Sequence, residues 1–156
     1  MDEIIVRTAS LKDLDTLFRF EQGVISAERP FDNTIKDDPV YYYSLEEMIT
    51  APHIELVVAE LNNELIGSGY ARIEKAKHFA RHEYHAYLGF MYTDPRYRGK
   101  GVNMKIMDAL KHWGARHAIT EFRLEVYADN TSAIKAYEKV GFKPDMLQMR
   151  MSISKD

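Results

Sequence analysis

The sequence has no cysteine among its 156 residues. This absence excludes disulfide bonds, thiolate catalysis and cysteine-ligated zinc or iron–sulfur sites, and it agrees with a reducing compartment. No apolar stretch approaches the ~18 residues that a membrane-spanning helix needs. The acidic start Met1-Asp2-Glu3 also lacks the pattern of a secretory signal. We therefore predict a cytoplasmic protein with no membrane partner.

Repeats, low-complexity tracts and Gly/Ser linkers are missing as well, which favours a single domain over residues 1–156. Hydrophobic residues make up 46% and charged residues 29%, the balance of a globular chain. The net charge of −3 argues against general nucleic-acid binding. Residues 1–50 hold 5 basic and 11 acidic residues, and a solvated surface is the interpretation we favour for that asymmetry.

Hydrophobic periodicity and capping signals predict a mixed α/β fold in the order β-α-α-β-β-β-α-β-α-β. The predicted strands are 4–8, 55–61, 65–75, 83–93, 122–127 and 146–153. The first helix follows a cap at Ser10, and the others cover 44–50, 102–118 and 130–140. Asn62-Asn63 predicts a hairpin turn. Residues 22–43 are interpreted as a long ordered loop or a broken helix.

The segment from Asp94 to Asn103 carries the first chemical signal. A strand ends there, a turn with two glycines follows, and an amphipathic helix begins. The first N–H groups of a helix lack partners and lie at the positive end of its dipole. Glycine lets an anion approach those groups, and Arg98 and Lys100 add positive charge. The turn is therefore predicted to hold a phosphate or pyrophosphate.

Two common nucleotide-binding motifs do not fit this turn. The Walker motif requires Gly-Lys-Ser/Thr, whereas this chain has Gly99-Lys100-Gly101. The dinucleotide motif G-x-G-x-x-G requires glycine at the position of Met104. A nucleotide-binding protein of either kind is therefore disfavoured, although a glycine-rich turn alone is weak evidence for any ligand.

A second motif follows about 30 residues later. It reads N-x-x-A-x-x-x-Y-x-x-x-G-F and comprises Asn130, Ala133, Tyr137, Gly141 and Phe142. Ala133 and Tyr137 share one face of the predicted helix because they are four residues apart. Taken alone, Tyr137 is more often a core aromatic residue whose hydroxyl has found a partner.

Together the two motifs resemble the GCN5-related N-acetyltransferase (GNAT) family, and the resemblance covers the chain from Glu55 to Phe142. The family's acetyl-CoA signature Q/R-x-x-G-x-G/A is matched by Arg98, Gly101 and, imperfectly, Asn103. Asn103 stands where the family has a small residue. Because the signature acts through main-chain amides, we expect this departure to be tolerated, with some change in the packing around the pyrophosphate.

The resemblance implies a central, mostly antiparallel twisted sheet flanked by helices. It also implies acetyl-CoA as co-substrate and no metal. A splay between strands 83–93 and 122–127 would admit the thioester, and backbone groups of the long strand would bind the pantetheine arm. The implied cofactor-binding residues are Met91, Tyr92, Thr93, Arg98, Gly99, Lys100, Gly101, Val102, Asn103 and Asn130.

The implied activity is direct transfer of an acetyl group to a primary amine of a small molecule or peptide. The amide near Met91 would polarise the thioester carbonyl, and Tyr137 would protonate the leaving thiolate. Glu83 and His85 are candidate bases because strict alternation puts them on the same strand face as Met91. A water chain is the alternative, and solvated surface residues are the more common interpretation of such side chains.

The resemblance also implies that the acceptor site is shaped by the segment after the first helix, here Glu21 to Tyr43. There Glu28 and Phe31 would border a cationic amine, and Arg29 could bind a carboxylate. Small amines, amino-acid derivatives and protein N-termini all remain open, as does a homodimer. Zinc binding by His78, His82 and His85 is disfavoured by their spacing. The alternative function is a non-catalytic acyl-CoA-binding sensor or accessory module.

Overall fold

Among the residues that the structure describes, five strands hydrogen-bond into one sheet in the order in which they follow each other along the chain. A computed structural model describes residues 3–155. The strands are β1 Ile5–Thr8, β2 Ile54–Leu61, β3 Glu64–Lys75, β4 Tyr84–Thr93 and β5 Phe122–Arg123. The first three pairings are antiparallel and the β4–β5 pairing is parallel. The mixed α/β fold with a mostly antiparallel sheet is thus confirmed.

The helices of the described chain are α1 Leu14–Glu28, α2 Leu45–Thr50, α3 Val102–Arg116 and α4 Thr131–Lys139. Short 3-10 turns cover Leu11–Asp13, Arg29–Phe31 and Pro95–Tyr97. The chain divides into two compact units, Met1–Glu125 and Val126–Asp156, and α4 belongs to the second. In the part of the chain that the structure describes, no helix combines the length and apolar character needed to cross a membrane.

Local signals begin these elements where the sequence predicts. The backbone N–H of Ser10 donates to Asp13 Oδ2 at 2.8 Å, as part of the predicted capping box before α1. Asn62 and Asn63 have φ angles of 52° and 65°, the left-handed pair that a tight type I′ hairpin requires. In the segment 22–43, α1 continues to Glu28 and a 3-10 turn follows. Residues 32–43 then form neither helix nor strand, so the segment combines the end of a helix with an ordered loop, and both interpretations describe part of it.

The sheet of the first unit is covered on both faces. On one face α1 and α2 build a core from Leu17, Phe20, Leu45 and Met48, which pack with strand residues such as Leu56. On the other face α3 packs so closely on β3 that a Cβ atom on Gly67 would lie 2.9 Å from Val102 Cγ1. That close approach explains the glycine in the middle of β3.

A β-bulge interrupts β4 at Phe90, whose φ is 53°. Ser68 pairs with Tyr92 and Tyr70 with Gly89, so two steps along β3 oppose three along β4. The extra residue reverses the alternation of β4 beyond the bulge. Met91 consequently faces α3, where its sulfur lies beside Gly69. The prediction that Glu83 and His85 share the face of Met91 is wrong for this reason.

Two predicted strands differ from the structure. The strand predicted at 122–127 is only Phe122–Arg123. Residues 143–155 form neither helix nor strand, so the strand predicted at 146–153 is not formed, and its apolar side chains are largely exposed. Alternation shows which face a strand would bury, but a strand also needs a neighbour to complete its hydrogen bonds. No strand lies within the described part of the second unit.

Candidate functional site

The turn between β4 and α3 has the backbone conformation that an anion cradle requires. Gly99 and Gly101 have φ angles of 77° and 81°, in the left-handed region that side chains disfavour. A Cβ atom at either position would meet nothing within 4 Å, so the space above the turn is open. Buried Val102 anchors the start of α3, whose first hydrogen bond runs from Lys105 N to Gly101 O. The preceding amides therefore lack helical partners.

The cations around this turn have different roles. Arg96 hydrogen-bonds both carboxylate oxygens of Asp94 and also Glu64 in β3, so it ties the turn to the β2–β3 hairpin. This contact lowers the pKa of Asp94 below its usual value. Arg98 and Lys100 are exposed. Lys100 Nζ lies 6.0 Å from the centre of the Tyr97 ring, so its charge stays beside the turn. Sequence reasoning did not identify Arg96 as a positioning residue.

The bulge in β4 is fixed by a side chain that sequence reasoning also missed. Ser68 is 0% exposed, and its hydroxyl donates to the Phe90 carbonyl at 3.1 Å. The bulge frees backbone groups of β4 from the regular ladder at the residues before Tyr92 and Thr93. A serine inside the mostly apolar run of residues 65–71 is the signal that could have identified this contact.

The β4–β5 ladder ends early. Its described pairs are Ala86 with Phe122 and Tyr87 with Arg123. Residues 88–93 of β4 continue past the end of β5, so one edge of β4 is unpaired along that stretch. An unpaired strand edge offers alternating donors and acceptors to an extended ligand. We call this edge the β4 opening.

The two predicted bases lie away from the opening. Glu83 is exposed and precedes β4, and His85 Nε2 is 3.2 Å from Glu74 Oε1. His85 is six residues before Met91, which is roughly 20 Å along a strand. Both side chains are thus remote from Met91 in their position along β4.

The predicted acceptor residues make contacts within their own segment. Arg29 donates to Asp38 Oδ1 at 2.9 Å and to the Lys36 carbonyl at 3.0 Å. Glu28 interacts with the Tyr42 hydroxyl, and burial raises the pKa of the Glu28 carboxyl. Phe31 is 38% exposed. Arg29 is therefore engaged by a carboxylate of its own loop.

An aromatic surface unforeseen from the sequence lies on the α1 face of the sheet. It consists of Tyr43, Tyr70 and Tyr87, hereafter the tyrosine cluster, with neighbouring ring centres 6.1 and 6.3 Å apart. The Arg72 guanidinium lies 5.6 Å from the Tyr70 ring centre and 5.4 Å from that of Tyr87. Tyr87 donates a hydrogen bond to Glu125 Oε1 at 2.9 Å.

In the second unit, α4 begins and ends as predicted. Asn130 Oδ1 accepts a hydrogen bond from the Ala133 amide at 3.2 Å, which makes Asn130 the N-cap. Tyr137 is half-buried, and its ring packs edge-to-face with Phe142 at 6.1 Å. Gly141 has a φ of 107° directly after the helix. Asn130 therefore has a structural role in addition to the predicted one.

The histidines next to β4 do not form a metal site in the described residues. The His82 and His85 rings lie 6.0 Å apart, edge to face. No group of three or more His, Asp or Glu side chains suited to a metal ion occurs among residues 3–155.

The acetyltransferase (GNAT) family model matches residues 20–142, which is most of the chain. The chain therefore belongs to the GNAT family. The matched range includes the turn, the β4 opening and the Tyr137 motif.

Three individual proteins that are similar to this chain show how far the likeness extends. The uncharacterized protein ML0378 of Mycobacterium leprae is 37% identical over 142 residues; the match covers 91% of this chain but only 35% of that relative's length. A tetramutant of BH1408 from Bacillus halodurans has the same fold, with a TM-score of 0.84 at 17% identity over 96% of this chain and 99% of that chain. An aminoglycoside N-acetyltransferase AAC(6')-Iy, solved with CoA, has a TM-score of 0.71 at 18% identity over 96% and 100%.

Proposed function

We propose that this protein is an acetyl-CoA-dependent N-acetyltransferase that acetylates a primary amine of a small molecule or peptide. The observation that carries the proposal is the open turn at the start of α3, where Gly99 and Gly101 adopt left-handed conformations. The family model extends from the first unit into the second, which supports one catalytic domain over residues 1–156.

The described residues fit the chemistry of coenzyme A. Unpartnered amides from Arg98 to Asn103 would bind the pyrophosphate, and Arg98 and Lys100 would add positive charge. Backbone groups of Met91, Tyr92 and Thr93 along the β4 opening would bind the amide-containing pantetheine arm. Acetyl-CoA supplies the activated acetyl group; the chain binds it, orients it and manages the protons.

Three tasks remain for the protein. A backbone N–H near Met91 would stabilise the negative charge that develops on the thioester carbonyl oxygen when the amine attacks. Tyr137 would give its hydroxyl proton to the departing thiolate, because a phenol of pKa near 10 can protonate a thiolate whose thiol has a pKa of about 8.5. A proton must also leave the attacking amine, which reaches the site mainly as an ammonium ion.

An amine acceptor is favoured by charge and by a relative. Residues 1–50, which contain α1 and the segment after it, carry 11 acidic and 5 basic residues. A negative field attracts a cationic acceptor. The solved relative with CoA is by its name an aminoglycoside N-acetyltransferase, so the shared fold accommodates small-molecule amines in that protein.

The direct test is an acetyl-CoA consumption screen over amines, amino-acid derivatives and short peptides, with mass spectrometry of the products. We expect an amide product from at least one primary amine. Exclusive acetylation of hydroxyl or thiol groups would contradict the amine assignment. Tight acetyl-CoA binding with no turnover across the panel would instead support an acyl-CoA sensor.

A further inference from the structure

We propose that Glu125, positioned by Tyr87, accepts the proton that the acceptor ammonium loses during acetyl transfer. This inference rests on the proposed N-acetyltransferase function and assigns the proton acceptor that the function requires. Tyr87 is a positioning residue in this scheme, because it acts through Glu125.

The two residues lie where β4 and β5 stop pairing. Tyr87 belongs to the last described pair of the ladder, with Arg123, and Glu125 is two residues beyond Arg123. The hydrogen bond from the Tyr87 hydroxyl to Glu125 Oε1, at 2.9 Å, joins β4 to the chain leaving β5. The hydrogen bond therefore holds the Glu125 carboxylate at the end of the β4 opening where pairing with β5 stops. The thioester is proposed to lie along this opening.

Position along β4 favours this pair over the bases predicted from the sequence. Tyr87 is four residues before Met91, roughly 13 Å along a strand, whereas Glu83 is roughly 26 Å away. The residues between Tyr87 and Met91 are Leu88, Gly89 and Phe90, none of which can carry a proton. Glu125 is exposed, so its carboxylate is accessible to an amine or to one bridging water.

The surroundings keep Tyr87 a hydrogen-bond donor. Burial, together with the Glu125 contact, raises the pKa of the Tyr87 phenol, which stays protonated at physiological pH. The charged and titratable groups that face it are Arg72, Tyr70 and Tyr43, with Glu74 and His85 next along the sheet. Arg72 is paired with Glu74 at 2.6 Å, so its charge is already compensated by a carboxylate other than Glu125.

The proton balance of the step is complete. The ammonium nitrogen gives one proton to the Glu125 carboxylate, and its freed electron pair forms the C–N bond at the thioester carbonyl. The new amide nitrogen loses its second proton to water as the C–S bond breaks. The sulfur leaves with the electron pair of that bond and takes a proton from the Tyr137 hydroxyl, which water then reprotonates, so the sulfur ends as a thiol. Overall an ammonium ion and acetyl-CoA give an amide, CoA and one proton, which Glu125 releases to water.

The first test is the variant Glu125→Gln, which keeps the size of the side chain and removes its basicity. Only about one part in a thousand of an amine with pKa near 10.4 is unprotonated near pH 7.4. We expect kcat/KM to fall roughly 10²–10⁴-fold near neutral pH. The loss should shrink as the pH approaches the amine's pKa, and it should be smaller for amines of low pKa that are already unprotonated. A merely structural role would not produce that dependence.

Two further variants complete the design. Tyr87→Phe removes the hydroxyl that positions Glu125, so it should give a smaller loss with the same dependence on pH and on amine pKa. Glu121→Gln is the matched control: it alters an exposed carboxylate four residues away that pairs with Arg123, and it should behave like the wild type. Thermal melts with and without CoA should show that all three variants fold and bind the cofactor.

The outcomes separate this assignment from the function on which it rests. If Glu125→Gln acetylates amines at the wild-type rate, or loses the same factor at every pH and with every amine, Glu125 is not the proton acceptor, although the enzyme is an N-acetyltransferase. If the wild type binds acetyl-CoA and acetylates no amine, the proposed function and this assignment both fail.

Discussion

The carboxylate of Glu21 accepts a hydrogen bond from the backbone amide of Tyr43 at 2.8 Å, and the same oxygen accepts one from the amide of Tyr42. Glu21 is fully buried in α1. The contact fixes the end of the segment that follows α1, and it sets Tyr43 against Phe90, whose ring centre lies 4.7 Å away. A carboxyl group in the core thus positions the Tyr43 ring beside the bulge.

Replacing Glu21 tests how much its hydrogen bonds to the amides of Tyr42 and Tyr43 stabilise the fold. Glu21→Leu leaves two buried amides without acceptors, and at about 1–3 kcal/mol per orphaned group it should lower the unfolding free energy by roughly 2–5 kcal/mol. Glu21→Gln retains an acceptor oxygen and should cost less. Urea denaturation measures both, and Glu46→Gln on the exposed face of α2 is the control. Equal stability of the Leu and Gln variants would contradict the role of the carboxylate.

The turn before α3 permits a test that separates charge from shape. Asn and Asp are similar in size and both tolerate left-handed backbone better than most residues do. Because a Cβ atom on Gly101 meets nothing within 4 Å, either residue fits. Gly101→Asn should keep most of the CoA affinity, whereas Gly101→Asp should lose tenfold or more, about 1.4 kcal/mol, by repelling the pyrophosphate.

The readout is the CoA-dependent increase in melting temperature, supported by a direct titration. Comparing each variant with and without CoA removes the strain that both side chains add to the fold. Equal CoA affinity of the Asn and Asp variants would mean that the pyrophosphate does not bind at this turn.

The ion pair between Arg7 and Asp13 predicts an acid-sensitive contribution to stability. Both terminal nitrogens of Arg7 contact the Asp13 carboxylate, at 2.9 and 3.0 Å, and this contact lowers the pKa of Asp13 below its usual value. A lowered folded-state pKa gives stability that is present above the unfolded pKa and is lost as the pH falls through the folded value. The Arg7 side chain is 36% exposed, so about 1 kcal/mol is expected.

Asp13→Asn should therefore be less stable than the wild type at neutral pH, and the difference should narrow below about pH 4. Denaturant titrations at a series of pH values would check this. The Asp15→Asn variant, which alters a carboxylate in the first turn of α1, is the control for the general effect of charge. If the difference in unfolding free energy between the wild type and Asp13→Asn does not change with pH, the Arg7–Asp13 ion pair is not its source.

The sequence predicted the features that neighbouring residues specify. Ser10 with Asp13 begins the first helical segment, Asn62-Asn63 forms the hairpin turn, and glycine at position 101 precedes α3, each through contacts within a few residues. The same signals were enough to recognise the family motif, because the turn before α3 and the helix α4 are each formed by residues that are close together in the sequence.

What the sequence did not predict depends on pairing between distant segments. The bulge at Phe90 is set by the register with β3, and the alternation pattern of β4 alone cannot show it. The bulge removed His85 from the face of Met91. Tyr87 and Glu125 meet although they are 38 residues apart, and Glu21 binds amides 21 and 22 residues away. The strand predicted at 146–153 has no partner strand within the described part of the second unit.

Tyr137 gives the last prediction. It lies on α4, four residues after Ala133 and four before Gly141, and its ring packs against Phe142. If its hydroxyl protonates the leaving thiolate, Tyr137→Phe should lower kcat roughly 10²–10⁴-fold when chemistry limits turnover, and acetyl-CoA binding should change little. The phenyl ring keeps its contact with Phe142, so the variant separates the hydroxyl from the packing role. Phe142→Leu is the matched control, because it alters the packing and leaves the hydroxyl. Steady-state kinetics with an acceptor from the amine screen, together with a thermal melt, would decide. Wild-type turnover in a well-folded Tyr137→Phe variant would mean that solvent or another group protonates the sulfur.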